Sequence, residues 1–157
     1  MARYAMRLEP LCEVVAYVTA PIPVGPSSWG IRMIAPVVEG TVEGPRIKGT
    51  ILPVGGDFAL IRADNCLELD VRAAFKTDDG AFIYTYYHGI VDMTEAQVKE
   101  FLAGGLPAGL DLYVTPRFET GHPNYQWLTR VQAVGRGGLE QARDRIKVSY
   151  SWYILTT

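Results

Sequence analysis

The chain has 157 residues, of which 48% are hydrophobic and 20% charged, and its formal net charge is -2 with a pI near 5.7. This composition is ordinary for a soluble globular protein with a core, and the length favours one domain spanning residues 1–157. The small, scattered charge excludes the electrostatic footprint of a protein that binds nucleic acid or an anionic membrane.

The N-terminal segment lacks the features of a signal peptide, because Glu9, Pro10 and Glu13 interrupt its longest apolar run. No stretch approaches the roughly 18 apolar residues that a membrane-spanning helix needs. Cys12 and Cys66 sit beside apolar residues and share no metal-like spacing, so we expect buried, reduced thiols rather than a disulfide. These features together predict a cytoplasmic protein.

Runs rich in β-branched and aromatic residues dominate the chain and are separated by turn signals. The hairpin over residues 66–89 is the clearest element, because residues 66–77 alternate between apolar and polar and residues 78–80 form an Asp-Gly type turn. Residues 137–145 are expected to form a loop or a single helical turn. In chain order, strands are predicted at residues 12–20, 30–44 (with a bulge or change of direction at Pro36 and Gly40), 46–52, 58–63, 66–77, 81–89, 110–120, 125–135 and 146–157.

One helix is predicted, at residues 92–105. Thr94 is its expected N-cap, and Gln97 three residues later completes a capping box. The apolar stripe of this helix and its glycine stop signal comprise Val98, Phe101, Leu102, Gly104 and Gly105.

About eight to ten short strands with regular turn signals predict an all-β sandwich or barrel. We favour a single-domain antiparallel β-barrel with one short α-helix. Several strands are amphipathic, no long polar edge strand is evident, and the last strand ends at the chain terminus, where it can close against an early strand.

The common catalytic and cofactor signatures are absent. There is no phosphate-binding loop, dinucleotide fingerprint, nucleophile elbow or paired Cys motif. With His88 and His122 as the only histidines, a three-histidine zinc site is excluded, and a site of two histidines and a carboxylate is disfavoured. We therefore predict neither a metal nor a cofactor.

Two pairs of opposite charge stand two residues apart on predicted strands. Asp70 and Arg72 share one strand face, and Arg117 and Glu119 repeat the arrangement on a distant strand. If both pairs faced one lumen they would form an acid–base site that needs no cofactor, whereas on a solvated face each ion pair would contribute little. The alternation alone does not choose between these two interpretations.

Three further side chains are candidates for the same site. Tyr84 and His88 share a face of the return strand that suits a ligand pocket, an interface or the rim of a core, and a histidine there could act as a general base. Asp57 follows two glycines, where its carboxylate either caps the turn or points into the barrel mouth.

Several short motifs follow one another in a recognisable order. They are LEPL and PIPVG near the N-terminus, LPVGGDF at 52–58, LDVR at 69–72, TDDGAFIY at 77–84 and PRFETGHPNYQWLT at 116–129. With these motifs, nearly the whole chain resembles the DUF3237 family of proteins, also called UPF0311. The resemblance implies an antiparallel β-barrel but brings no established reaction. Phe58 and Thr129 depart from the family pattern, and the positions that the pattern shares include Asp57, Asp70, Arg72, Arg117, Glu119 and Trp127.

The charged pairs and the resemblance together favour a small-molecule site. We predict a cofactor-independent lyase, isomerase or cyclase acting on a hydrophobic or aromatic carbonyl compound. The alternatives are a carrier of a lipophilic small molecule, and a structural domain that forms a homodimer through the helix and Phe101. The predicted catalytic residues are Asp57, Glu119, Arg72 and His88, and the predicted ligand contacts are Asp70, Tyr84, Arg117, Trp127, Trp29 and Phe58.

Overall fold

A computed structural model describes all residues from Met1 to Thr157. The chain forms eleven β-strands, one α-helix and one 3₁₀ helix, and neither helix is long or apolar enough to cross a membrane. The elements are β1 (Arg7–Thr19), β2 (Ile22–Ser27), β3 (Gly30–Glu43), β4 (Lys48–Ile51), β5 (Gly56–Ile61), β6 (Cys66–Thr77), β7 (Phe82–Asp92), α1 (Glu95–Leu102), β8 (Leu112–Val114), β9 (Arg117–Glu119), the 3₁₀ helix (Pro123–Arg130), β10 (Ala133–Ala142) and β11 (Arg145–Thr156).

The strands close into a ring in which every pair is antiparallel. β1 pairs with β3 and β11, β10 joins β11 to β8, and the long β6–β7 hairpin closes the wall. The eleven strands fill eight wall positions, because β1 and β2, β4 and β5, and β8 and β9 each share one. The predicted antiparallel β-barrel is confirmed.

The break predicted at Pro36 and Gly40 is a change of partner within one continuous strand. β3 pairs with β5 from Ile31 to Pro36 and with β4 from Gly40 to Glu43. Proline lacks the N–H that a ladder bond requires, so the exchange of partners falls where one bond is already missing.

Two predictions for the last third of the chain are wrong. Residues 123–130, placed mostly in a strand, form the 3₁₀ helix, which starts with Pro123 after the N-cap His122. Residues 137–142, expected to be a loop, continue β10 in a hairpin with β11. Two glycines of β10 are required for packing, since a Cβ on Gly135 would lie 2.3 Å from the Trp152 ring and one on Gly137 would lie 2.4 Å from the Tyr150 ring.

The two barrel ends are closed differently. At one end α1 covers the opening, with the predicted Thr94–Gln97 capping box present in full. Near the other end the buried Trp152 ring packs against four aromatic rings at centroid distances of 5.5–6.1 Å. This aromatic floor comprises Phe75, Tyr87, Phe118, Tyr150 and Trp152.

Both cysteines are buried and free, as expected from the sequence. Burial raises the pKa of the Cys12 thiol to about 12, and the nearby Glu13 carboxylate adds to the effect. The thiol therefore stays neutral and behaves as a small apolar side chain.

Two substitutions in β10 test the contact between glycine and the floor. Gly135→Ala forces a methyl group against the Trp152 ring and should lower the free energy of unfolding by about 2–3 kcal/mol. Gly138→Ala is the matched control, because a Cβ there has no neighbour within 4 Å, and its effect should stay within about 1 kcal/mol. Urea denaturation measures both, and equal effects would contradict the packing described.

Candidate functional site

A cavity of about 80 Å³ lies inside the barrel, between α1 and the aromatic floor. Its lining is apolar apart from a few groups, and Asp57 is the only charged residue among the nineteen that line it. The polar tips of Tyr87 and Tyr150 belong to the same lining, and Phe101 of α1 contributes at the helix end.

Asp57 reaches the lumen because the two glycines before it bring β5 close to its neighbours. Gly55 has a φ of +79°, and a Cβ there would lie 2.1 Å from the Arg72 carbonyl oxygen. Only glycine is compatible with both constraints. From Gly56 onward the alternation of β5 turns Asp57 and Ala59 inward.

The Asp57 carboxylate takes the place of a bond in the β5–β6 ladder. The Asp70 N–H donates to Asp57 Oδ1 at 2.9 Å. In an antiparallel ladder every second pair of opposed residues is hydrogen-bonded. Arg62 and Cys66 form such a pair, because the Arg62 N–H donates to the Cys66 carbonyl oxygen. In the same register, the Asp70 N–H would donate to the Phe58 carbonyl oxygen. That pair of residues is absent from the ladder.

Arg32 provides a hydrogen-bond donor for the Phe58 carbonyl group, which loses its ladder partner by this replacement. Its Nη1 donates to the Phe58 carbonyl oxygen at 2.8 Å. Asp57 and Arg32 thus supply hydrogen-bond partners for the Asp70 N–H and the Phe58 carbonyl, the donor and the acceptor of one lost ladder bond. The arrangement fixes Oδ1 of Asp57 in the wall and leaves its Oδ2 without an assigned donor.

Burial raises the pKa of the Asp57 carboxyl to about 6, despite the backbone hydrogen bond from Asp70 that favours the ionised form. The neighbouring Asp70 charge raises this pKa further, and Arg32 lowers it. Near neutral pH the carboxyl therefore exchanges a proton readily, which is the property a general acid–base group needs.

Tyr87 and Tyr150 supply two hydroxyl groups beside this carboxyl. Both side chains are more than nine-tenths buried, at 8% and 4% exposed, and their rings pack edge to face at 5.9 Å. Both residues line the cavity, and a side-chain hydrogen bond between them lowers the pKa of Tyr87 and raises that of Tyr150. Burial is the largest cause and raises the pKa of both phenols, so the two linked hydroxyls stay protonated near neutral pH.

A second cavity, of about 320 Å³, forms the mouth at the helix end. It shares Pro21, Met33, Phe101 and Ile146 with the inner cavity, so these side chains separate the two. Its polar rim is formed by residues that include Arg32, Gln141 and Asp144. A ligand of ordinary size exceeds the inner cavity, so its body would occupy the mouth and one end the lumen.

The expectation that the paired charges face a lumen is wrong. Asp70 and Arg72 lie on the outer face of β6, and the apolar residues that alternate with them, such as Val71, point inward. Ionised side chains facing the narrow apolar lumen would lose hydration without enough partners, so the alternation places them outside. The other predicted site residues on this outer face are Tyr84, His88, Arg117 and Glu119.

These outer residues do converge with one another, on the opposite side of the wall from Asp57. His88 Nδ1 and Arg72 Nη1 lie 4.0 and 3.7 Å from the Asp70 carboxylate. Arg117 and Glu119 pair across the strands with Tyr86 and Tyr84.

The three remaining candidates also lie outside the lumen. Trp29 is 76% exposed in the β2–β3 turn, and Phe58 points outward from β5. Trp127 belongs to the 3₁₀ helix, where the Arg46 guanidinium stacks 3.5 Å from the ring centroid. Trp127 therefore does not line the inner cavity, and its contact with Arg46 anchors the loop that precedes β4.

Sequence reasoning missed Tyr87 and Tyr150 as site residues. Both lie on the buried face of their strands, and for Tyr87 this was visible from its alternation with Tyr84, Tyr86 and His88. The available signal was a phenol on a core face, where its hydroxyl requires a partner.

No group of three or more His, Cys, Asp or Glu side chains is arranged to hold a metal ion. Phe101 of α1 points into the barrel end and lines both cavities. Packing of Phe101 across a dimer interface, which was one alternative from the sequence, stays a prediction.

The fold and the lumen define a class of protein: a closed antiparallel β-barrel whose apolar interior holds one carboxyl and two phenols. The chain belongs to the DUF3237 family, because the model of that family, described as "Protein of unknown function (DUF3237)", matches residues 6–155. The resemblance predicted from the sequence is confirmed.

Relatives agree with this assignment. The UPF0311 protein RPA1785 of Rhodopseudomonas palustris is 41% identical over 127 residues, which are 79% of this chain and 82% of the relative. Its crystal structure, described as a conserved protein of unknown function, has a TM-score of 0.81 at 32% identity and covers 96% of this chain and 99% of its own.

Two further solved structures share the fold. A β-barrel-like protein from Acinetobacter baumannii has a TM-score of 0.75 at 30% identity, covering 99% of both chains. A structure described as an enzyme from Penicillium herquei has a TM-score of 0.67 at 21% identity, covering 98% of both chains. At that identity the second likeness concerns the fold alone.

The raised pKa of Asp57 predicts a specific pH dependence of stability. Because the folded state holds this proton more tightly than the unfolded chain, raising the pH from about 4 to about 7 lowers the free energy of unfolding. Asp57→Asn keeps an acceptor for the Asp70 N–H and cannot ionise. Relative to this variant, the wild type should lose about 2 kcal/mol across that range.

Urea denaturation at several pH values checks this difference. Taking the variant as reference cancels the titration of other groups. A difference between the two proteins that stays constant with pH, or that favours the wild type as pH rises, would contradict the assignment.

Proposed function

We propose that this chain is a cofactor-independent enzyme of lyase, isomerase or cyclase type that transfers protons on a hydrophobic or aromatic carbonyl compound. The observation that carries the proposal is the Asp57 carboxyl, with its pKa raised to about 6 beside two phenol donors in an apolar lumen. A group poised near the working pH is the most effective general acid–base catalyst.

The chemistry assigned to Asp57 is removal of a proton next to the carbonyl group. The C–H or O–H bond breaks, its electron pair passes into the conjugated system, and Asp57 becomes a neutral acid. The same proton can return at another atom, or accompany a leaving group. These outcomes correspond to isomerisation in the first case and to elimination in the second. In a cyclisation the deprotonated atom instead adds to a second electrophilic carbon of the same substrate, and the π pair displaced there takes the proton back from Asp57.

The phenols of Tyr87 and Tyr150 are assigned to the developing negative charge on the substrate oxygen. Protonated donors in a site shielded from water stabilise such charge strongly, since they need no reorganisation during the step. Their high pKa values keep them from competing with Asp57 for the role of base.

The shape of the site supports a neutral substrate with an apolar body. The lumen offers no cation to hold a carboxylate or phosphate, and ionised Asp57 repels anions. The mouth accommodates the part of the molecule that the inner cavity excludes.

A proton-exchange assay tests the role of Asp57 without knowledge of the natural substrate. The probe is 2-tetralone, an aromatic ketone, and deuterium uptake at its α-carbon in D₂O is followed by proton NMR. The wild type should accelerate the exchange. Asp57→Asn should lower the catalysed exchange rate at least about 100-fold, as expected for a lost general base.

Asp70→Asn is the matched control for this assay. Its carboxylate lies on the outer face of the wall next to Asp57, and its backbone N–H is retained. Because the Asp70 charge raises the Asp57 pKa, this variant should lower the midpoint of the pH profile slightly and keep wild-type exchange above that midpoint. Loss of activity in Asp70→Asn equal to that in Asp57→Asn, or no acceleration by the wild type, would count against the proposal.

The same assay predicts a pH profile. Because the ionised carboxylate is the base, the catalysed rate should rise about tenfold per pH unit below about 6 and level off above it. The slope should vanish in Asp57→Asn. A wild-type profile that rises without a plateau to pH 9 would point to hydroxide or another group as the base.

A carrier function is the second candidate, and the almost entirely apolar lining favours it. A carrier would bind its ligand through buried area and return it unchanged. Native mass spectrometry of the purified protein separates the two functions, since Asp57→Asn would retain the ligand of a carrier.

A further inference from the structure

The outer face of β7 carries the largest row of exposed aromatic side chains on the barrel wall. An antiparallel strand with one face in the core normally presents polar residues to water. Here the outward residues are Phe82, Tyr84, Tyr86, His88 and Ile90.

The exposure of these rings is substantial. Phe82 is 62% exposed, and Tyr84 and Tyr86 are each 37% exposed with their rings stacked at a centroid distance of 5.3 Å. Exposed aromatic patches of this kind mark interaction surfaces, and tyrosine is enriched at the centre of such surfaces.

Charged residues of both signs border this row. On one side, β6 places Asp70 beside His88 and Lys76 beside Phe82. On the other side, β9 places Glu119 beside Tyr84 and Arg117 beside Tyr86. The pairing of the strands therefore determines beside which residue of β7 each charged side chain lies.

We propose that this face binds a second copy of the chain, with a two-fold axis that crosses β7 at the level of Thr85. This rotation reverses the direction of β7 in the partner. A residue on one side of Thr85 therefore faces the partner residue that lies equally far from Thr85 on the other side. Tyr84 then packs on the partner's Tyr86, and Phe82 faces the partner's His88.

The charges on the two flanks are complementary under this rotation. Arg117 faces the partner's Glu119, and Lys76 faces the partner's Asp70, each pair occurring twice. A two-fold axis along β7 would instead bring Arg72 against the partner's Arg117, which is a contact of like charges. Charge complementarity thus selects one orientation and favours a second copy as the occupant.

The proposed contact uses the side wall of the barrel. The mouth between α1 and the β10–β11 turn remains open, so association does not require the Asp57 site to be occupied or active. The interface and the catalytic proposal can fail independently.

A charge swap tests the orientation directly. Arg117→Glu and Glu119→Arg, each alone, create like-charge contacts across the axis and should raise the dimer dissociation constant at least about tenfold. The double variant R117E/E119R restores opposite charges and should return the constant to within about threefold of wild type. Sedimentation velocity over a concentration series measures the constant, and circular dichroism verifies the fold.

Trp29→Ser is the control, because Trp29 is an exposed aromatic residue outside the patch. It should leave the association unchanged. The proposal is overturned if the wild type is monomeric at micromolar concentrations, if the single charge reversals have no effect, if the double variant is as weak as the singles, or if Trp29→Ser disrupts the dimer equally.

Discussion

The hydrogen bond from the Asp70 N–H to Asp57 Oδ1 holds the one charged side chain of the lumen in place. It replaces a ladder bond between β5 and β6, and Arg32 satisfies the carbonyl that is left over. A carboxyl held in the wall in this way is largely shielded from water, yet its second oxygen has no hydrogen bond to the ladder. Its raised pKa follows from that burial.

Much of the fold could be predicted from the sequence because the barrel strands obey local rules. The alternation of β6, the Asp-Gly turn after it and the Thr94 capping box all require only neighbouring residues. The secondary-structure predictions failed where a contact between residues distant in sequence determines the local conformation. Residues 137–142 resemble a loop until the Tyr150 ring is known to need a glycine opposite it at position 137. The stretch around Trp127 forms a 3₁₀ helix whose Trp127 ring stacks with the Arg46 guanidinium.

The site was harder to predict, because a period of two assigns residues to faces without saying which face is inside. Asp70 with Arg72, and Arg117 with Glu119, are arranged as they would be in a lumen, yet closure of the ring turns them outward. Asp57 was identified because two glycines precede it. Several other segments shared with the family hold the floor end together, for example where Tyr125 and Thr77 both donate to Asp79.

The most direct test of the central claim is a carbon-13 NMR titration of the Asp57 side-chain carboxyl in the folded wild-type protein. The account predicts a midpoint near pH 6, with the Asp70 amide proton shifting at the same midpoint because it donates to that carboxyl. A midpoint at the ordinary aspartate value of about 4, or an Asp70 amide that does not respond, would contradict it.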